Sequence, residues 1–233
     1  MKTLKKGNTG PEVGLLRRLL NKKVMPPPNL PEANVFGSRY NGAMARIDFG
    51  PHMEAAVKAF QHSKLLKEDG IVTPAIWQAL GLKIDLTRPV SLASQPSSDT
   101  CYAAAATMVI GPSGGASFSP GPAPSGVQAD DHWATAFARQ FSWTIEYGAT
   151  FMPGALLNFL HAGPFWFAGN LPFPSGSSYH AVVVGAIWGD GDPDGTMLLI
   201  YDPWPVNVGE VYGIILGDYL TGFPQAMRYV IHR

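Results

Sequence analysis

The side chains best suited to chemistry in this sequence are a thiol, an imidazole and a carboxylate lying far apart along the chain: Cys101, His180 and Asp202. Cys101 is the only cysteine, so it can form no internal disulfide and serves either as a small buried hydrophobe or as a nucleophile. It opens the run CYAAAATMVI (101–110), which is rich in helix formers and lacks proline. The Ser97-Ser98-Asp99-Thr100 cluster just before it offers oxygens for a helix N-cap. A thiol at a helix N-terminus meets unpaired N–H groups and the positive end of the macrodipole, and both favour the thiolate. His180 heads SSYHAVVVGAIW (177–188), which reads as a strand, and TMLLIYDPWP (196–205) reads as a second strand that ends on Asp202. Between them GDPDG (191–195) supplies turn residues. If the two strands pair antiparallel through that turn, the start of one lies beside the end of the other and His180 neighbours Asp202. Together the three residues supply the nucleophile, base and orienting acid of thiol-based acyl transfer. Taken singly, each also has a purely structural reading.

Competing candidates are weaker. His132 and His161 fall in predicted helices (ADDHWATAFARQF and FMPGALLNFLHAG) and neither leads into a strand with a paired acid. Asp190, Asp192 and Asp194 have the composition of a turn and are expected to shape the hairpin. With one cysteine and dispersed histidines, no group has metal-ligand spacing, and the glycines form neither a P-loop nor a dinucleotide fingerprint, so no metal or other cofactor is expected. Phe165, Trp166, Phe167 and Trp188 read as core. Trp204 stands two residues after Asp202, where an indole could shield the His–Asp pair, and Tyr179 is expected to line the cleft as a substrate-binding residue.

These elements sit in the second of two segments with opposite charge. Up to Leu82 there are 12 Lys+Arg against 6 Asp+Glu, which leaves 5 against 11 of the total of 17 each for the remainder, about +6 and −6. Two modules explain this asymmetry, one over residues 1–82 and one over 83–233. The neutral whole, with only 15% charged residues, argues against a nucleic-acid binder. The basic first segment would suit an anionic polymer such as a cell wall. PEVGLLRRLL (11–20), PHMEAAVKAFQH (51–62) and PAIWQAL (74–80) each open on proline and carry apolar residues at helical spacing. Residues 25–48 read as a loop insertion and residues 83–100 as a linker. MKTLKKGNTG has no apolar run behind its lysines and so is not a secretory signal. No stretch has the roughly 20 apolar residues of a membrane span. Action outside the cytoplasm would then require specialised secretion or lysis.

The first module resembles the peptidoglycan-binding domain of bacterial wall hydrolases. The resemblance rests on LKKGNTGPEVGLLRRLLN and FGPHMEAAVKAFQHSKLLKEDGIVTPAIWQALG, in which Phe60-Gln61, Asp69-Gly70-Ile71-Val72 and Trp77 fall in family order. The second module is similar to bacterial papain-like cysteine peptidases through Gln95 six residues before Cys101, then YHAVVVGA, then YDPWP. The expected fold is α+β: a small all-α three-helix domain, then a papain-like domain whose cysteine-bearing helix packs on an antiparallel sheet carrying His180 and Asp202. The resemblance implies Cys101 as nucleophile, His180 as general base and acid, Asp202 as the residue holding the imidazole, and Gln95 with the Cys101 N–H as oxyanion hole. It departs from the family at Tyr102, where tryptophan is common, and in the Gly/Pro/Ser-rich stretch 111–126. The expected activity is hydrolysis of a peptide or amide bond in wall stems through a thioester, in a toxin or lysin. Such a toxin implies a cognate immunity protein in the producer. A protein-cleaving protease docked by its first module, and a wall-binding protein with a decayed site, are the alternatives.

Overall fold

In the computed structural model, residues 1–26, 28–30, 48–111, 131–148, 150–173, 176–222 and 227–233 are described. The chain is α+β, with helices towards the N-terminus followed by a sheet whose assigned ladders run antiparallel. It divides into two compact units. One comprises Met1–Asp85 with Trp188–Met197 and Gly213–Gly217, and the other comprises Leu86–Ile187, Leu198–Tyr212 and Asp218–Arg233.

In the first unit, α1 (Pro11–Lys23), α2 (Pro51–Ser63) and α3 (Pro74–Ala79) all begin with proline in the first turn, where its missing N–H costs nothing. Val13, Leu15, Leu16, Leu19 and Leu20 of α1 are buried, as are Met53, Val57 and Phe60 of α2 and Trp77 of α3. The Trp77 indole donates to the Lys2 carbonyl at 3.0 Å. Gln61, 1% exposed, clasps the turn before α3. Its Nε2 donates to Asp69 Oδ1 at 3.0 Å and to the Ile71 carbonyl at 3.1 Å, while the Gly70 N–H donates to Oε1 at 2.9 Å. The Ile71 N–H and Gln61 bonds hold the Asp69 carboxyl below its ordinary range. In the same unit the buried Asp190 meets Lys22 Nζ at 2.9 Å and Lys23 Nζ at 3.2 Å. Most of the 25–48 insertion lies outside the described residues.

Among the described residues the sheet has seven strands. Those on the main path run in the order β2 (Thr144–Tyr147), β7 (Met227–His232), β3 (Phe165–Phe173), β4 (Gly176–Gly189), β5 (Thr196–Asp202) and β6 (Glu210–Ile215), while β1 (Ile84–Thr87) pairs with β4. The segment read as linker therefore contributes a strand. A short apolar stretch such as Ile84–Thr87 has too few residues to reveal its periodicity. Central placement of β4 accounts for the unbroken apolar run AVVVGAIW, because Ala181 to Val184 are all 0% exposed and both faces are covered. Within the second unit, α4 (Cys101–Ile110), α5 (Asp131–Gln140) and α6 (Pro153–Ala162) complete the helices, with α7 (Leu216–Gly222) between β6 and β7. Ala105, Ala106 and Met108 of α4, Phe137 and Ala138 of α5, and Trp166, Ala168, Ala181, Val183, Tyr229 and Ile231 of the sheet form one core cluster. The 111–126 stretch, apart from Gly111, lies outside the described residues.

Replacing Gln61 by alanine strands the turn's buried N–H and carbonyl partners and is expected to destabilise the first unit by about 2–4 kcal/mol. In urea the corresponding transition should move about 1 M or more lower.

Candidate active site

Cys101 is the first residue of α4 and is 3% exposed. The helix ends before Gly111, which adopts φ 81°. No side chain caps its N-terminus, contrary to the sequence expectation, because the hydroxyls bond to one another and to the turn instead. Thr100 Oγ1 donates to the Ser97 carbonyl at 3.0 Å and accepts from the Ser97 N–H at 3.2 Å, and Ser97 Oγ donates to Asp99 Oδ1 at 2.6 Å. The positive end of the helix thus faces Cys101 without a capping oxygen in front of it.

His180 lies in β4, 4% exposed, and Asp202 closes β5 at 0% exposed. The imidazole Nε2 is 2.7 Å from Asp202 Oδ1. Nδ1 is the other ring nitrogen, and Cys101 lies near enough to the ring to favour its charged form. Burial works against a charged ring here, but the Asp202 carboxylate, reinforced by Cys101, outweighs it and pushes the His180 pKa up to about 9. Asp202 has two further donors that the sequence reading missed. The Trp204 backbone N–H reaches Oδ1 at 2.7 Å, and the Tyr212 hydroxyl reaches Oδ2 at 3.0 Å. Tyr212 sits in EVYGII, a run with no polar pattern, so nothing in the sequence marks it as a partner of an acid ten residues back.

Gln95 is fully buried. Its backbone is fastened to the segment after Asp202, the N–H donating to the Pro203 carbonyl at 3.0 Å and the carbonyl accepting from the Asn207 N–H at 2.9 Å. Its side-chain Nε2 donates to the Ser97 carbonyl at 2.6 Å, which leaves one amide hydrogen, and its Oε1 is buried without a hydrogen-bond partner. Gln95 is therefore tied both to the turn that leads into Cys101 and to the loop that follows Asp202. Tyr179 packs against the core cluster that contains Cys101, with its ring 6.3 Å from that of Tyr229. Its hydroxyl is buried beside Tyr229, so it points into the protein core. His161 stands exposed at the end of α6, where its carbonyl accepts from Arg88. His132 lies in α5.

The arrangement is a bonded imidazole–carboxylate pair, closed off from water at its acid end, with the Cys101 thiol acting on the ring. Among the described residues, no group of three or more His, Cys, Asp or Glu could hold a metal ion. Also among these residues, no helix is long and apolar enough to cross a membrane.

In the native state the protonated ring is favoured, so the stability contributed by the His180–Asp202 pair is full below pH 6.5 and is lost as pH rises towards about 9. Asp202→Asn removes the counter-charge and leaves burial, which favours the neutral ring. The midpoint of His180, followed by imidazole NMR, should therefore fall from about 9 to 6.5 or lower.

Residues 9–80 match the family described as "Putative peptidoglycan binding domain", and no curated protein matches the chain. The matched segment covers the three helices α1, α2 and α3, and it gives the chain a peptidoglycan-binding type of domain at its N-terminus, in keeping with association with the cell wall.

Proposed function

We propose that the protein is a thiol hydrolase of the papain-like kind that cleaves a peptide or amide bond in the peptide stems of peptidoglycan. One observation carries this reading: His180 Nε2 lies 2.7 Å from the buried Asp202 carboxylate, and the ring feels the Cys101 thiol at the start of a helix that no side chain caps. The substrate class is drawn from the N-terminal peptidoglycan-binding match.

In this mechanism the proton on His180 Nδ1 is the one given up by the thiol, so thiolate and imidazolium stand paired before the substrate is attacked. Asp202 stabilises the imidazolium and the helix N-terminus stabilises the thiolate. The sulfur adds to the scissile carbonyl, and the oxyanion is held by the Cys101 N–H together with the amide hydrogen of Gln95 that Ser97 leaves free. Each such donor contributes on the order of 3 kcal/mol. As the tetrahedral adduct collapses, the C–N bond breaks and His180 gives its proton to the departing amine. Water then enters, loses a proton to His180 and attacks the thioester. The carboxylic acid departs and the thiolate–imidazolium pair is restored. In a producing bacterium such an enzyme would need a cognate immunity protein if delivered to the wall.

The test is incubation of the purified protein with peptidoglycan and, separately, with unfolded casein. Released muropeptides are expected from the first, and Cys101→Ala or His180→Ala should lower their production at least about 10³-fold with an unchanged circular dichroism spectrum. Casein cleavage without muropeptide release would make the protein a protease of proteins. Wall binding with no cleavage of either would make it a binding protein, and near-normal turnover in either variant would defeat the assignment of the site.

A further inference from the structure

The hydroxyl of Tyr212 is not accounted for by the three-residue chain, yet it is one of the donors that enclose Asp202. Tyr212 is 6% exposed and Asp202 0%, so their bond at 3.0 Å is made away from water. The two donors at Oδ1, from His180 and from the Trp204 N–H, both lie at 2.7 Å and both act on a single oxygen. A carboxylate turns about its last torsion, which is broad and roughly two-fold, unless both of its oxygens are held. The bond at Oδ2 fixes the second oxygen and with it the plane of the group.

The chain is built to bring Tyr212 back to this point. After Asp202 it leaves β5, passes residues 203–209, and re-enters the sheet as β6. The return is made at Gly209, with φ 68°, where an added Cβ would lie 3.1 Å from the Asp202 carbonyl oxygen and 3.2 Å from the Leu92 side chain. Glycine suits that backbone conformation and leaves room for so close a passage. Three residues later Tyr212 is the first buried position of β6.

From this geometry we infer that Tyr212 is a positioning residue: it fixes the plane of the Asp202 carboxylate and thereby holds the His180 ring towards Cys101. The inference rests on the reading of Cys101, His180 and Asp202 as a working site, but its test does not require turnover.

Tyr212→Phe keeps the ring and deletes only the donor. Two outcomes are opposite in sign. If the hydroxyl holds the carboxylate in place, its loss lets the carboxylate swing away from the imidazole, and the His180 NMR midpoint falls while the downfield imidazole N–H resonance of the Nε2–Oδ1 bond broadens or disappears. If the carboxylate stays put without it, removing a donor leaves the negative charge less neutralised, so the midpoint rises or stays unchanged; either result overturns the inference. The fall should vanish when Tyr212→Phe is added to Asp202→Asn, and a fall that persists there also overturns it. In the active enzyme the same variant is expected to lower kcat about 5- to 30-fold with KM within about twofold, the pattern of a group acting on the transition state rather than on binding. Installing 4-aminophenylalanine at position 212 restores a donor at the same point and should recover the downfield resonance; this keeps the inference testable if Tyr212→Phe does not fold. Wild-type protein that shows the NMR effects but cleaves nothing would refute the proposed activity and leave the role of Tyr212 standing.

Discussion

The arrangement depends on keeping one carboxylate charged where water cannot reach it. A buried, ionised Asp202 costs several kcal/mol of lost hydration unless donors replace the water. Here they come from His180 on β4, from the Trp204 N–H just past β5 and from Tyr212 on β6. Three neighbouring segments of the sheet must therefore hold their register at this point. A slip of one residue in β4 or β6 would turn His180 or Tyr212 to the opposite face and leave the charge without its partners. Packing and charge thus select the same alignment.

The thiol reaches this cluster through the shape of its helix. The four alanines after Tyr102 are poor at filling space, and that suits them to close approach. Ala105 and Ala106 are 0% exposed and share the core with Ala168 and Ala181 of the sheet. Small residues on both sides let helix and sheet come together. The Trp166 indole donates to the Tyr102 carbonyl at 3.3 Å, and Phe137 meets the Tyr102 ring edge-on with centroids 5.9 Å apart. Both contacts fix the turn that carries Cys101. At the other end of the helix, Arg233 donates to the Val109 and Ile110 carbonyls at 2.7 and 3.0 Å, a cation placed where the macrodipole is negative.

How much could be read from the sequence depended on how local the determinants were. Each helix of the first unit announces itself by a proline at its start and an apolar stripe, both properties of a dozen consecutive residues. The His180 and Asp202 strands were legible because a turn of recognisable composition joins them and places their ends together. β1, β2 and β7 are short, with 4, 4 and 6 residues, and a two-residue period is barely expressed over such lengths. Ser97 and Thr100 looked like caps because their side chains can serve as caps. Which hydrogen bond such a hydroxyl makes depends on the backbone of its turn, and residue type does not reveal that. Tyr212 was invisible for a different reason: its role is defined by an acid across the sheet, and an isolated tyrosine in a strand most often signals nothing but packing.

The first unit gathers residues from three stretches of chain, including the tip between β4 and β5. At Gly213, also part of this unit, an added Cβ would lie 2.8 Å from the Pro11 side chain and 2.6 Å from Met197 Sδ, so the start of α1 is fitted against late segments of the polypeptide. Lys22 and Lys23 balance an aspartate, Asp190, that is 2% exposed. A polypeptide begun at Lys83 would bare that acid and the surface under α1 together. The stretch that matches a known family is consequently no interchangeable cassette in this molecule. Recombination that traded it for a homologue would have to preserve two lysines and a close-fitting proline.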